Sequence, residues 1–142
     1  MALVSLAQRT SNVTTAAACW EIRTTSSGKV VVQELGISLV TAAATVIGIG
    51  TPAAIGVTPT SPQTFLRDDT ADQTAVTTAA VAWATGPTVP ANFVRRWSFP
   101  ATIGSGMVFT FPQGLVIAAS SSLVLWNILG GATLDVYAAI DE

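Results

Sequence analysis

Side chains that alternate between apolar and polar constrain this sequence more than any other feature. A strand puts successive side chains on opposite faces of a sheet, whereas a helix groups them every three or four residues. The pattern is clearest near the C-terminus. In LDVYAAID, Leu134, Val136, Ala138 and Ile140 share one side, with Asp135, Tyr137 and Asp141 on the other, as in a half-buried strand. The preceding SLVLWNI is an apolar run of strand length. Leu129, Gly130, Gly131 and Ala132 between the two predict a turn and hence a hairpin.

The same period recurs upstream. GMVFTFP sets Met107, Phe109 and Phe111 on one face, Pro112 and Gly114 end the run, and LVIA resumes it. Around RRWSFP, the residues Phe93, Arg95, Trp97 and Phe99 share a side. CWEIRTT and KVVVQELGISLV flank the turn TSSG and predict a second hairpin. With ATVIGIG, about eight strands are expected, in an all-β antiparallel sandwich or barrel. The segment DDTADQTAVTTAAVAWATG admits two readings. Asp68 and Asp69 could open a helix with Ala75, Ala79 and Trp83 on one face, but its many Thr and Val residues favour a strand from Ala75 to Ala84 after an acidic loop. The expected organisation is one domain over 16–142, preceded by an N-terminal arm over 1–15 that a neighbouring subunit would order.

Composition matters because of what such a sandwich must leave outside. Of the 142 residues, half are hydrophobic and 10% are charged, against roughly 25% charged in typical soluble domains. A folded monomer of this mass exposes about 6,900 Å² by size scaling, which leaves roughly 490 Å² for each of its few charges. That approaches the largest apolar patch ordinary monomers tolerate, about 300–600 Å². Contact with copies of itself or with other proteins is the expected remedy. Six basic residues, Lys29 being the single lysine, and a net charge of −2 give no stripe to follow a phosphate backbone, so nucleic acid is not an expected partner.

Membrane insertion is not expected either. The charge-free stretch from Leu35 to Leu66 holds Pro52, Pro59 and Pro62 with Gly48, Gly50 and Gly56, which would break a spanning helix repeatedly. The opening MALVSLAQRTSNVTTAAAC has alanines before Cys19, as a lipoprotein signal would. However, it lacks a basic start and is interrupted by Gln8, Arg9, Ser11 and Asn12. Cys19, the one cysteine, reads as a small buried hydrophobe.

The chain contains no histidine, which removes the usual general base, the usual activator of Ser and Cys, and the commonest metal ligand. A triad hydrolase and a His-liganded metal site are thereby excluded. Ser26, Ser27, Gly28 and Lys29 spell S-x-x-K, but none of the companion motifs of penicillin-recognising enzymes occurs, and a turn is expected there. Gly48, Gly50 and Gly56 with Asp68 resemble a dinucleotide fingerprint only faintly, because the third glycine is misplaced and Pro52 stands where a helix should begin. Asp68, Asp69 and Asp72 are a weak calcium candidate without the full loop pattern. Asn12-Val13-Thr14 is a formal glycosylation acceptor. No catalytic residue, cofactor or metal site is assigned. The candidate interface residues are Phe93, Arg95, Arg96 and Trp97, since arginine beside aromatics suits a protein contact. Trp20, Trp83, Trp97 and Trp126 are expected in the core.

The wording RRWSFPATIGSGMVFTFPQGLVIAASSSLVLWNILGGATLDVYAAIDE, and more loosely IGIGTPAAIGVTP and PTVPANFVRRW, resembles small all-β virion proteins of tailed bacteriophages. The resemblance implies a jelly-roll head-decoration or cement protein, a homotrimer seated on the major capsid protein lattice at the capsid surface and assembled in the host cytoplasm. A tail, baseplate or head-fibre component is the alternative within the virion. A carbohydrate-binding β-sandwich is the alternative outside it.

Overall fold

The computed structural model describes residues 2–11 and 14–142. The alternation seen in the sequence becomes burial. In β13 (Leu134–Asp141), Leu134, Val136, Ala138 and Ile140 are buried, and the residues between them are half-buried. Among the described residues there is no helix, and thirteen strands form antiparallel sheets. Eight of them build the frame: β1 (Leu3–Arg9), β2 (Ala17–Arg23), β3 (Val30–Leu39), β4 (Thr45–Gly50), β10 (Arg95–Phe99), β11 (Gly106–Ile117), β12 (Ser122–Leu129) and β13.

The pairing is that of one long ribbon folded on itself. β1 pairs with β13, β2 with β12, β3 with β11 and β4 with β10, so the first four strands meet the last four in reverse order. Rolling the ribbon adds the contacts β3 to β13 and β4 to β12. Two sheets result, β11-β3-β13-β1 facing β10-β4-β12-β2, which is the jelly-roll arrangement. Their inner faces share one core, including Trp20, Ile22, Leu35, Ile47, Ile49, Leu125, Leu134 and Ile140.

This wrapping corrects both expected hairpins. β12 and β13 lie in opposite sheets, as do β2 and β3. The turns at 130–133 and 24–29 carry the chain across the sandwich instead of back along a neighbour. Gly130 takes φ of 84°, and a Cβ there would sit 2.0 Å from the Ala44 carbonyl oxygen. Beside it the buried Asn127 donates to the carbonyls of Thr14 and Gly130, and its Oδ1 accepts from Thr45 Oγ1. Every polar group of that side chain is used, which pins the crossing.

The expected arm is also corrected. Leu3–Arg9 is β1, paired along its length with β13, because Val4 and Leu6 carry apolar bulk into the core. The formal glycosylation acceptor includes Asn12 and Val13, which lie outside the described residues.

The tip of the ribbon is residues 51–94, which closes one flank and covers one face. β7 (Leu66–Arg67) extends the first sheet beyond β1, while β8 (Thr78–Ala80) and β6 (Gln63–Thr64) extend the second beyond β2. Phe65 and Ala75 plug the gap between them. The segment expected as one strand over 75–84 is split: β8, then β9 (Trp83–Thr85), which pairs with β5 (Val57–Pro59).

The β5–β9 pair and the chain to Phe93 lie over the outer face of the six-stranded sheet, where Ala18, Val124 and Trp126 form a second small core with Trp83, Phe93 and Ile128. Close approach explains the glycines of β4. A Cβ on Gly48 would lie 2.5 Å from the Phe93 ring, and one on Gly50 would lie 3.2 Å from Pro90.

Candidate interaction surface

The cover over the six-stranded sheet is fastened by a charge. Glu21 lies in β2 between apolar residues and is fully buried. One of its carboxylate oxygens accepts from Arg23 Nε and the other from the indole N–H of Trp83. Arg23 Nη2 reaches on to the Gly56 carbonyl at 2.7 Å. A buried carboxylate with both oxygens engaged is tolerable where an unpaired one is not. Here it ties β9 and the loop before β5 to β2. Sequence reasoning missed this residue: in CWEIR a glutamate reads as the outward side of a strand, and only a cover from far along the chain makes outward mean buried.

Among the described residues, the outer face of the five-stranded sheet has no such cover. The register places Ala7, Tyr137, Gly36 and Val108 side by side across it, with Ser5, Ala139, Glu34 and Thr110 in the next row. Leu66 lies beside Ser5, and Leu3, Asp141, Val31 and Val116 form a third row. Leu3, Leu66, Val108 and Val116 are exposed there. The small residues leave a shallow concavity of about 700 Å³ over Ala7, Gly36, Ser38 and Gly106.

One charge pair on this face cancels, while Glu34 and Asp141 leave it net negative. Arg9 makes two bonds to Asp135, at 2.7 and 2.9 Å, and this hydrogen bonding holds the Asp135 carboxyl below its ordinary range. The Tyr137 hydroxyl donates to Glu34 at 2.5 Å. That bond, followed by burial, pushes the phenol upward. The Tyr137 ring lies over Gly36, where a Cβ would come within 1.9 Å of it. Such a face is shallow, small-featured and rich in exposed apolar side chains, which suits protein contact.

The candidate interface residues separate. Arg95 and Arg96 are exposed on β10, the outermost strand of its sheet, and Arg95 Nη1 donates to the Val94 carbonyl. Trp97 is buried against Phe109 with ring centroids 4.5 Å apart, and Phe93 is half-buried over Gly48. The structure therefore leaves the two arginines available to a partner and places the two aromatics in packing. Trp20 and Trp126 are buried as well, and the half-buried Trp83 has its indole N–H held by Glu21.

The remaining motifs resolve into structure. Ser26 and Ser27 sit in a turn between β2 and β3, and no helix begins there. Asp68 accepts from Ser5 Oγ, Asp69 caps the turn at Ala71 N–H, and Arg67 bonds the Asp72 carbonyl. Among the described residues no group of three acidic, His or Cys side chains is arranged to hold a metal. A cleft of about 430 Å³ holds Lys29, Asp72 and Glu142, but both Glu142 carboxylate oxygens are spent on the amides of Val76 and Thr77.

No protein-family profile matches the chain, and no curated protein shows significant similarity to it.

Proposed function

We propose that this chain is a non-enzymatic structural protein of a virus particle, a capsid decoration or cement protein. In this reading it binds the major capsid protein lattice at the capsid surface as a homo-oligomer. The resemblance to phage virion proteins suggests a trimer. The observation that carries the reading is the asymmetry of the sandwich. One outer face is covered by the chain's own residues 51–94, while the other is left open with four exposed large apolar side chains. The chain exposes 6812 Å², as an ordinary monomer would, yet carries 14 Asp, Glu, Lys and Arg side chains to dress it, one of them the buried Glu21. A shell contact that buries apolar area gains roughly 25 cal/mol per Å² before association costs.

The test is co-sedimentation with assembled tailed-phage heads stripped of accessory proteins. The expected result is binding to heads and none to free capsid subunits, with the paired substitutions Ala7→Glu and Val116→Glu on the open face abolishing it. Co-sedimentation with isolated tails instead would move the protein to the tail or baseplate. A chain that stays in the supernatant in both cases refutes the reading.

A further inference from the structure

The frame has four flanking strands, and the ribbon tip deals with two of them. β7 and the β8–β6 pair cover β1 and β2, leaving only two-residue edges at β7 and β6. The other flank ends in β10 and β11, both outermost in their sheets. β10 carries Arg95 and Arg96, the charged dress that keeps edge strands from pairing with other chains. β11 runs for 12 residues, GMVFTFPQGLVI, without one charged side chain.

The pairing phase of β11 is fixed by the Leu39 N–H, which donates to the Ser105 carbonyl at 2.8 Å. Alternation from that bond turns the backbone groups of Met107 and Phe109 toward β3 and those of Gly106, Val108 and Thr110 outward. Among the described residues these three outward amides have no other backbone or side-chain acceptor. The free ladder is also bounded. On one side the next outward position in sequence is Pro112, which has no N–H. On the other it is Gly104, whose N–H is spent on the Leu39 carbonyl at 2.9 Å. Val108 is 56% exposed and Met107 43%, with Ile103 and Val116 exposed beside them.

We propose that Gly106–Thr110 is a self-pairing edge that joins two copies of this chain antiparallel about a two-fold axis at Val108. The free groups are palindromic about that residue. Val108 would pair with Val108 of the second copy and Gly106 with Thr110, about six backbone hydrogen bonds in all. Pro112 would then fall opposite Gly104, and neither offers an amide, so the ladder ends by itself at both sides. Without charge on either strand, like meets like without repulsion. The two five-stranded sheets become one continuous sheet. The contact depends on backbone geometry and stands whether or not the chain belongs to a virus particle. If the chain is also a trimer through another surface, the same edge joins trimers in pairs.

The experiment compares the full chain with Val108→Pro and Val108→Lys by sedimentation equilibrium. The Val108 N–H faces away from β3, so proline removes an outward donor without touching the inner ladder. Lysine keeps the N–H but sets two ammonium groups against each other across the axis. The expected mass of the wild-type particle is twice that of either variant, with far-UV circular dichroism of the variants unchanged and their melting temperature independent of concentration, whereas that of the wild type rises with it. Concentrating the wild type should slow amide exchange at Gly106, Val108 and Thr110 by roughly ten-fold or more, and leave Met107 and Phe109 unaffected. Equal masses for wild type and variants would overturn the proposal. So would a doubling without protection of those three amides, or an open series of masses, which would mean pairing with a different edge.

Discussion

Replacing Glu21 by alanine should loosen the cover over the six-stranded sheet more than it disturbs the core. The carboxylate is fully buried and holds both Arg23 Nε and the Trp83 indole. Removing it orphans two donors. Breaking a buried ion pair from one side costs about 3–5 kcal/mol. The Arg23 side chain is 22% exposed and can recover part of its hydration, so the lower end, about 3 kcal/mol, is expected. For a domain of this size that corresponds to a fall in melting temperature of roughly 9 °C. Glu21→Gln keeps an acceptor but points an N–H₂ at one donor, and should cost about 1–3 kcal/mol. Differential scanning calorimetry gives the totals. Limited proteolysis gives the location, with new cleavage expected within 51–60 and 81–94 before any in β12 or β13. A Glu21→Ala protein that melts within about 1 °C of wild type, with the cover equally protected, would show that the carboxylate does not fasten it.

Gly130→Ala should destabilise by about 2–4 kcal/mol in urea unfolding, because it adds left-handed strain to a clash with the Ala44 carbonyl. Tyr137 is the single tyrosine, so ultraviolet titration reads it alone. Its folded pKa is raised by the bond to Glu34, so the contribution to stability is fully present below the unfolded value, near 10, and is lost as pH rises through the folded value. The midpoint should lie above 10 in the folded protein and return toward it in Glu34→Gln. The Cys19 thiol, pushed up to about 12 by burial, should ignore a disulfide reagent at neutral pH and react only at the rate of unfolding.

Much of the fold was legible because period-two alternation reports the face of a side chain. Leu134 to Ile140 in β13, and Trp97 and Phe99 in β10, fall inward as their pattern says. Alternation does not report the partner. Gly130 and Gly131 look the same in a hairpin and in a crossing between sheets, which is why two hairpins were expected where the jelly roll sends β12 to β13 and β2 to β3 across the core. The same blindness hid Glu21, whose burial is decided by residues more than thirty positions away. Gly48 and Gly50 carried a signal without a direction: they mark a close approach, here by Phe93 and Pro90 and not by a phosphate. Of the expected interface residues, alternation itself separates Arg96 from Trp97, whereas Phe93 required the structure.

Partner contact through the open face of the five-stranded sheet is tested most directly by hydrogen exchange on the wild-type chain bound to heads, compared with the free chain. Side chains there report through their own strands. Amides of β1, β13 and β7 around Ser5, Ala7, Leu66 and Ala139 should exchange more slowly in the bound state, while those of the covered segment 51–60 stay unchanged. Protection confined to 51–60 and β9, with the five-stranded sheet unaffected, would contradict it.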